Sequence, residues 1–326
     1  MQQWLRPYLD ADYVATEGPD QDKEFIQEYT ARIVDALPEK LSVRPERSRR
    51  ILVITRGTYG VLHVPGAAGL LILLREAAGR YNGFELTELH DDVSIDGDLL
   101  GRFDAVVLNN VGRAGNPDLY NELLPAYVRG GGGLFANHGS ALLFINEPGA
   151  EYNRMLGGYV EKTQVHPKRH GGAFSVELPQ PEHPLVQAFT GEPVPRQVTH
   201  RWLDRTVRKK YAVAIEPPRA LADELYVLNA AADQANRPQV LLRIDKDRAE
   251  QGYPEGTDDF TYALTWLKRY GEGRVFYTQL GHNMAVFSVP CVARSMLDGL
   301  QYAAGDLVVD GAADRKTVRE GQETRR

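Results

Sequence analysis

The feature that most constrains the fold of this chain is a regular alternation of short apolar runs with segments of helical periodicity. The runs at 51–55 and 104–108 are apolar almost throughout, as expected of strands that are buried on both faces of a parallel sheet. Apolar residues at helical spacing follow them at 67–81 and 117–129. Strands that alternate with helices of about 10–15 residues form βαβ units. The first half of the chain therefore predicts an α/β protein with a doubly wound, mostly parallel sheet.

The rest of the chain predicts one domain with an extension at each end. Apolar residues recur at helical spacing over 20–37, and Pro38 ends that helix. Further strands are predicted at 84–89, 134–136, 173–178, 225–228, 240–244 and 275–280, and a closing helix at 289–304. We expect three parts, namely a helical extension with a linker at residues 1–48, the α/β domain at 49–307 and a charged, disordered tail at 308–326.

Composition narrows the range of functions. The chain has 326 residues, a net charge of −6 and only short basic runs, so binding to nucleic acid through phosphate contacts is not expected. No apolar run reaches the roughly 18 residues that a membrane helix needs, and the first residues lack the apolar core of a signal peptide. The single cysteine, Cys291, excludes an intramolecular disulfide and fits a reducing compartment. We expect a cytoplasmic protein.

Histidine is scarce in this chain, and three of its eight histidines stand just after predicted strands. His63 lies in the loop after the first strand, and His138 and His282 follow two later strands. Ligands of open parallel sheets bind outside the carboxyl ends of the strands, so these histidines are expected to line one cleft. The alternative is that they are loop residues with ordinary surface hydrogen bonds. Three other polar residues follow strands in the same way: Arg56, Tyr59 and Asn110.

The segment at 130–142 has the outline of a nucleophile elbow, with glycines, a short strand, a tight turn at His138 and a helix. A G-x-S-x-G pattern is absent, and Cys291 lies in an apolar helix, where a buried structural thiol is expected. His138 is instead a candidate general base or metal ligand, and both roles need a neutral ring nitrogen. Glycine patterns that bind dinucleotides or phosphates are also absent, so no nucleotide cofactor is expected.

Two other segments supply polar groups. His166 precedes Pro167, which biases its backbone towards an extended conformation. In the predicted strand near residue 225, alternation would point Glu224 and Tyr226 to one face, although acidic residues beside a strand are usually solvated. The remaining histidines give weaker signals, with turns expected at His90 and His183 and no assignment for His200.

Several segments resemble a known family, the trehalose-utilisation (ThuA-like) family. Residues 266–282, WLKRYGEGRVFYTQLGH, are similar to its most distinctive stretch, although Gln279 stands where a serine is more usual. The other matching segments, in family order, are GGGGLFANHGSA, EYNRMLGGYVEKTQVHP, HPLVQAF, DELY and LDGLQYAAGD. Together they run from about residue 51 to residue 305.

The resemblance implies a flavodoxin-like or class I glutamine amidotransferase-like fold without the amidotransferase cysteine. It also implies a role in the catabolism of trehalose or related disaccharides and glycosides, where the substrates are often 3-keto sugars made by a partner dehydrogenase. The positions that match polar positions of the family pattern are His63, His138, His166, Glu224, Tyr226 and His282.

The leading hypothesis is an enzyme that acts on a 3-keto disaccharide or glycoside. A ketone acidifies the neighbouring C–H bond, so a positioned base starts elimination of the glycosidic substituent, and water addition completes net hydrolysis. His138 or His282, with Glu224, is the candidate catalytic group, and a base of this kind contributes about 10²–10⁴-fold. A divalent metal, Zn or Mn, held by His138, His166 and His282 would polarise the ketone.

Substrate contacts are expected from Arg56, Tyr59, His63, Asn110 and Tyr226, with stacking of the sugar on Tyr59, Tyr226 or Trp266. The alternative hypothesis is a non-catalytic sugar-binding protein or an assembly partner of a sugar dehydrogenase, which needs no metal. Amidotransferase-like hydrolysis is disfavoured by the missing nucleophile. The predicted N-terminal helix is either a dimerisation arm, which would give a homo-oligomer, or a cap on the sheet edge, and packing on its own domain is the preferred expectation.

Overall fold

The computed structural model describes residues 20–56, 63–160, 172–203, 208–231, 236–245 and 259–309. Its strands in chain order are β1 (Arg49–Ile54), β2 (Phe84–Leu89), β3 (Ala105–Asn109), β4 (Gly133–Asn137), β5 (Gly158–Val160), β6 (Ala173–Glu177), β7 (Arg196–Leu203), β8 (Arg208–Ile215), β9 (Ala220–Ala222), β10 (Leu228–Ala230), β11 (Gln239–Ile244), β12 (Ala263–Tyr270) and β13 (Gly273–Thr278).

The helices in chain order are α1 (Asp20–Ala36), α2 (Val64–Tyr81), α3 (Gly97–Leu100), α4 (Leu124–Arg129), α5 (Glu151–Leu156) and α6 (Pro290–Ala304). A π-helical turn, Leu119–Leu123, leads into α4, and single 3-10 turns occur at His138–Leu142, Pro184–Phe189, Asp259–Tyr262 and Met284–Ser288. None of these described helices combines the length and the apolar character needed to cross a bilayer.

Nine strands form a central sheet in the order β2-β1-β3-β4-β13-β12-β11-β6-β9. The first five strands of this order run parallel, and each later neighbour pairs antiparallel. Two small sheets, β5 with β10 and β7 with β8, lie beside it. The prediction of an α/β protein with a large, mostly parallel central sheet is confirmed.

The strands carry apolar side chains to both faces of the sheet. In β1, Ile51 and Val53 join one apolar core, and Leu52 and Ile54 join the other. The first core also contains residues of α1, α2 and α6, and the second contains residues of α3, α4 and α5. Burial on both faces explains why the runs around β1 and β3 are continuously apolar rather than alternating.

The second half departs from the predicted elements. The strand predicted at 225–228 is wrongly placed, because residues 223–227 are irregular and β10 begins only at Leu228. Part of the reason is that the Tyr226 N–H donates to the side-chain oxygen of Gln279 at 2.8 Å instead of to a neighbouring strand. Strands β5, β7, β8, β9 and β12 have no counterpart among the predicted strands.

The N-terminal extension packs on its own domain. Tyr29 and Ile33 of α1 are fully buried in the core shared with α2 and α6. The linker after α1 contacts α6. Ser42 of the linker donates to the carboxylate of the buried Asp298, which also accepts a hydrogen bond from Arg294 at 3.0 Å. Residues 20–48, the described part of this extension, therefore pack around the sheet.

Candidate metal centre and active site

Four buried side chains converge at the carboxyl ends of the parallel strands: His63, His138, Glu224 and His282. One donor atom of each lies within 4.8 Å of the donor atoms of the other three. His63 stands at the start of α2, His138 directly follows β4, and His282 follows β13. The parallel pairings place these strand ends at one edge of the sheet, which explains why residues far apart in sequence meet.

The carboxylate of Glu224 lies at the centre of the cluster. Its Oε2 atom is 2.9 Å from His282 Nδ1, 3.6 Å from His138 Nε2 and 3.8 Å from His63 Nε2. His282 Nδ1 is also 3.3 Å from His138 Nε2. Three imidazoles thus face one carboxylate in a nearly solvent-free space, where charge interactions are stronger than in water.

The orientation of His138 is fixed by the backbone around it. The residue has a φ of 38°, which makes the sharp turn that the sequence predicted after β4. Its Nδ1 lies 2.7 Å from the carbonyl oxygen of Gln279, and its own carbonyl accepts a hydrogen bond from Tyr277 at 2.9 Å. A carbonyl can only accept, so Nδ1 carries the hydrogen and Nε2 presents a lone pair to the cluster. Burial, opposed in part by Glu224, lowers the pKa of His138 to about 3.

His282 has the opposite electrostatic setting. Burial alone would lower its pKa, but the charge and hydrogen bond of Glu224, together with the charge of Asp223, outweigh burial, and the pKa is raised above its usual value. At 2.9 Å from Glu224, Nδ1 of His282 is at hydrogen-bond distance as an N–H donor. The two neighbouring histidines therefore differ in basicity: the neutral form of His138 is favoured, and His282 is the stronger base of the pair.

Asp223 holds the loop that carries His282. Its Oδ2 accepts the backbone N–H groups of Gly281 at 2.6 Å and His282 at 3.2 Å, and its Oδ1 accepts those of Glu224 at 3.0 Å and Asn283 at 3.2 Å. Burial raises the pKa of Asp223 to about 6 against these hydrogen bonds. No sequence pattern predicts this role, because an acidic residue beside a strand is usually solvated.

Gln279 is a second residue that sequence reasoning missed. Its side-chain oxygen accepts the Tyr226 N–H at 2.8 Å, and its amide nitrogen donates to the carbonyl of Ala263 at 2.6 Å. Its backbone carbonyl meanwhile orients His138. The one available signal was its departure from the serine that is more usual in the family motif.

Tyr226 reaches the same cluster from the irregular segment. Its hydroxyl is 2.8 Å from His138 Nε2 and 3.0 Å from His63 Nε2. Its ring stacks on that of His138, with the centroids 4.6 Å apart and an interplanar angle of 28°. The prediction that Glu224 and Tyr226 point the same way agrees with this arrangement, although no strand produces it.

Two predicted substrate-binding residues are engaged with neighbouring parts of the protein. Asn110, with a φ of 54°, donates to the carbonyl of Gly281 at 3.0 Å and accepts from the N–H of Gly139 at 3.1 Å. Arg56 forms an ion pair of 2.8 Å with Asp92, which is fully buried. Both residues therefore order the loops at this edge, and their contact with substrate stays a prediction.

Other predicted residues fall elsewhere. Tyr59 and His166 lie outside the described residues. Trp266 is fully buried in the core, stacked on Tyr277 with its indole N–H donated to the carbonyl of Leu156, so the proposed stacking of a sugar on its ring is wrong. His183 forms the predicted turn.

The single cysteine lies where the sequence predicts it. Cys291 is buried, as expected of a structural thiol, and burial raises its pKa to about 12.

Of the predicted metal ligands, His138 and His282 are brought together, and His63 and Glu224 join them. Imidazole and carboxylate donors suit zinc, manganese and similar divalent ions, and the carbonyl behind His138 is the usual support of a metal-bound histidine. The donor set therefore fits a divalent cation.

The fold and the site together define a class of protein: an α/β domain whose parallel strands carry a buried cluster of three histidines and one glutamate at their carboxyl ends. The sequence narrows that class, because residues 50–303 match the model of the ThuA family, described as trehalose utilisation. The chain belongs to the ThuA family, as its motifs predicted.

Among the solved structures that are similar to this chain are two described as ThuA-like proteins. A protein of Bacteroides uniformis described as ThuA-like is 15% identical with a TM-score of 0.57, and the match covers 79% of this chain and 92% of that one. A protein of Parabacteroides merdae, also described as ThuA-like, is 19% identical with a TM-score of 0.49 over 81% of this chain and 93% of that one. The first likeness shows a shared fold. A comparison with curated proteins gives no match.

Proposed function

We propose that this protein is a metal-dependent enzyme that cleaves a 3-keto disaccharide or glycoside by elimination followed by hydration. Membership of the ThuA family suggests carbohydrate utilisation. The observation that carries the proposal is the buried convergence of His63, His138, Glu224 and His282. Buried titratable groups of this kind are concentrated at functional sites.

The proposed metal ligands are His63, His138 and Glu224, whose lone pairs would be directed into the cluster. His138 qualifies because its other nitrogen is bound to the Gln279 carbonyl. Glu224 supplies a carboxylate oxygen, and His63 Nε2 lies 3.8 Å from that oxygen. A divalent cation held by these three residues would supply Lewis-acid polarisation of the ketone oxygen.

His282 is the proposed base. Its Nδ1–H is directed at Glu224, so the lone pair of the neutral ring lies on Nε2, away from that carboxylate. In the first step this nitrogen removes the hydrogen from the carbon next to the ketone. The electron pair forms a C=C bond as the bond to the glycosidic oxygen breaks, and that oxygen takes the proton from His282 and leaves as an alcohol. Water then adds across the C=C bond.

The division of roles is tested with two histidine variants. We expect His138→Ala to lose the metal and the activity together. We expect His282→Gln to keep the metal and lose about 10²–10⁴-fold in turnover of a 3-keto-glucoside. His183→Asn is the matched control, because this buried histidine is outside the donor cluster and asparagine can keep an acceptor for the Leu185 N–H, so neither property should change. The measurements are metal content by elemental analysis and product formation.

Each outcome has a definite meaning. If His138→Ala changes neither metal content nor turnover, the assignment fails. If the wild-type protein binds a keto-glycoside and never turns it over, the alternative of a non-catalytic sugar-binding partner of a dehydrogenase replaces the proposal. A dehydrogenase that makes the substrate, a homo-oligomer and a cytoplasmic location stay predictions from the sequence.

We also propose a finer description of the fold. Apolar cores on both faces of the sheet support a doubly wound sheet of the flavodoxin-like or class I glutamine amidotransferase-like kind.

A further inference from the structure

We infer that Tyr226 is a direct ligand of the same metal ion, which completes a set of four donors with His63, His138 and Glu224. The inference rests on the proposed function, because it assumes that the cluster binds a cation. It replaces the expected role of Tyr226 as a substrate contact. The observation behind it is that the phenol oxygen lies 2.8 Å from His138 Nε2 and 3.0 Å from His63 Nε2.

These spacings are those of neighbouring ligands on one ion. Nitrogen and oxygen ligands of zinc lie about 2.0–2.2 Å from the ion, so adjacent donors in a tetrahedral or octahedral shell are about 2.8–3.6 Å apart. The phenol oxygen falls within this range from both histidines. Glu224 is 3.6 Å from His138 and 3.8 Å from His63, at or just beyond the upper end. Four of the six distances among these donors are therefore at or close to the spacing of ligands on one ion.

The hydrogen-bond pattern points to the same conclusion. His138 Nε2 offers a lone pair, because its Nδ1 hydrogen goes to the Gln279 carbonyl. The phenol has one hydrogen, which it donates to this lone pair. A cation that takes the lone pair displaces that hydrogen bond and leaves the phenol oxygen beside the ion. The O–H bond then breaks as the metal–oxygen bond forms, and the proton passes to water.

Tyr226 is held in this position before any ion binds. Its ring stacks on His138, and its backbone N–H is bound to Gln279. The side chain is fully buried. A metal ligand that is fixed in advance loses little conformational freedom when the ion binds.

Copper(II) is the probe for the test, because it binds nitrogen and oxygen sites most tightly among the divalent first-row metals. A phenolate bound to copper gives a ligand-to-metal charge-transfer band that a histidine–carboxylate site lacks. We expect this band in the copper-loaded wild-type protein and its loss in Tyr226→Phe. We also expect the variant to bind zinc at least about tenfold more weakly. Tyr152→Phe is the matched control, since that buried hydroxyl donates to the carbonyl of Ser140 and should leave the band intact.

The results separate this inference from the proposed function. Stoichiometric copper without a band, or a band that persists in Tyr226→Phe, overturns the ligand role and leaves the metal site standing. Failure of the wild-type protein to bind any divalent metal overturns the metal site itself. If Tyr226→Phe does not fold, a crystal structure of the metal-loaded wild-type protein decides, because a ligand oxygen must lie about 2.0–2.2 Å from the ion.

Discussion

Gly66, in the first turn of α2, packs directly against the backbone of the loop that carries His282. A Cβ atom at Gly66 would lie 1.8 Å from the carbonyl oxygen of Gly281 and 2.6 Å from that of His282. Both contacts are with backbone atoms, which cannot turn aside as a flexible side chain does. Gly66→Ala therefore forces α2 away from the loop by more than an ångström, since nonbonded carbon atoms approach to about 3.5 Å.

The expected cost follows from two opposing terms. Replacing glycine by alanine inside a helix gains about 0.5–1 kcal/mol, whereas an added methyl group in a packed site costs about 1–3 kcal/mol or more. At Gly66 the second term dominates, and we expect a net loss of about 1–2 kcal/mol or more in the free energy of unfolding. The shift also moves the His282 backbone, so metal affinity and turnover should fall as well.

Gly79→Ala is the control on the same helix. A Cβ at Gly79 has no heavy atom within 4 Å, so only the helix-propensity gain of about 0.5–1 kcal/mol remains. Denaturant unfolding of both variants, with metal content measured in parallel, checks the opposite signs. Equal stability of Gly66→Ala and the wild-type protein, with normal metal content, would refute the reasoning.

Two further predictions concern buried polar groups. Gln279→Ser leaves the Tyr226 N–H and the Ala263 carbonyl without their present partner, so we expect the free energy of unfolding to fall by about 2–5 kcal/mol. The control is Gln187→Ser, at an exposed amide that donates to the Pro181 and His183 carbonyls, and its loss should be less than about 1 kcal/mol. An equal loss in both variants would contradict the prediction. Burial, followed by the charge of His282, lowers the pKa of His200 to about 3, so the unfolded chain binds more protons between that pH and about 6.5. The free energy of unfolding should therefore be unaffected by this group above about pH 6.5 and fall by up to about 5 kcal/mol as the pH drops to about 3. Unfolding curves of His200→Gln should show a weaker fall over this range.

The sequence predicted the parts of the fold that local pattern determines. The continuous apolar runs of β1 and β3 identified a parallel sheet, because only strands covered on both faces have that composition. The topology rule then placed His63, His138 and His282 at one edge. Strand β12 escaped detection because its sequence ALTWLKRY mixes apolar and basic residues, although the Lys268 side chain is itself nearly buried.

The residues that support the site could not be predicted in the same way. Asp223 is satisfied by four backbone N–H groups, three of which belong to a loop nearly sixty residues later in the chain. Gln279 acts through its side chain and its carbonyl on different partners. No spacing rule records such contacts, since they depend on the packing of distant segments.

The donor cluster joins segments from nearly the whole length of the folded domain, with His63 before the second strand and His282 after the last. Contacts between such distant segments form late, because the chain must first close large loops. A partly folded chain therefore lacks the complete set of donors and would bind a cation more weakly than the folded protein. This chain has no intramolecular disulfide. Cation binding would then stabilise the fully folded state alone, by an amount that rises with the concentration of the ion.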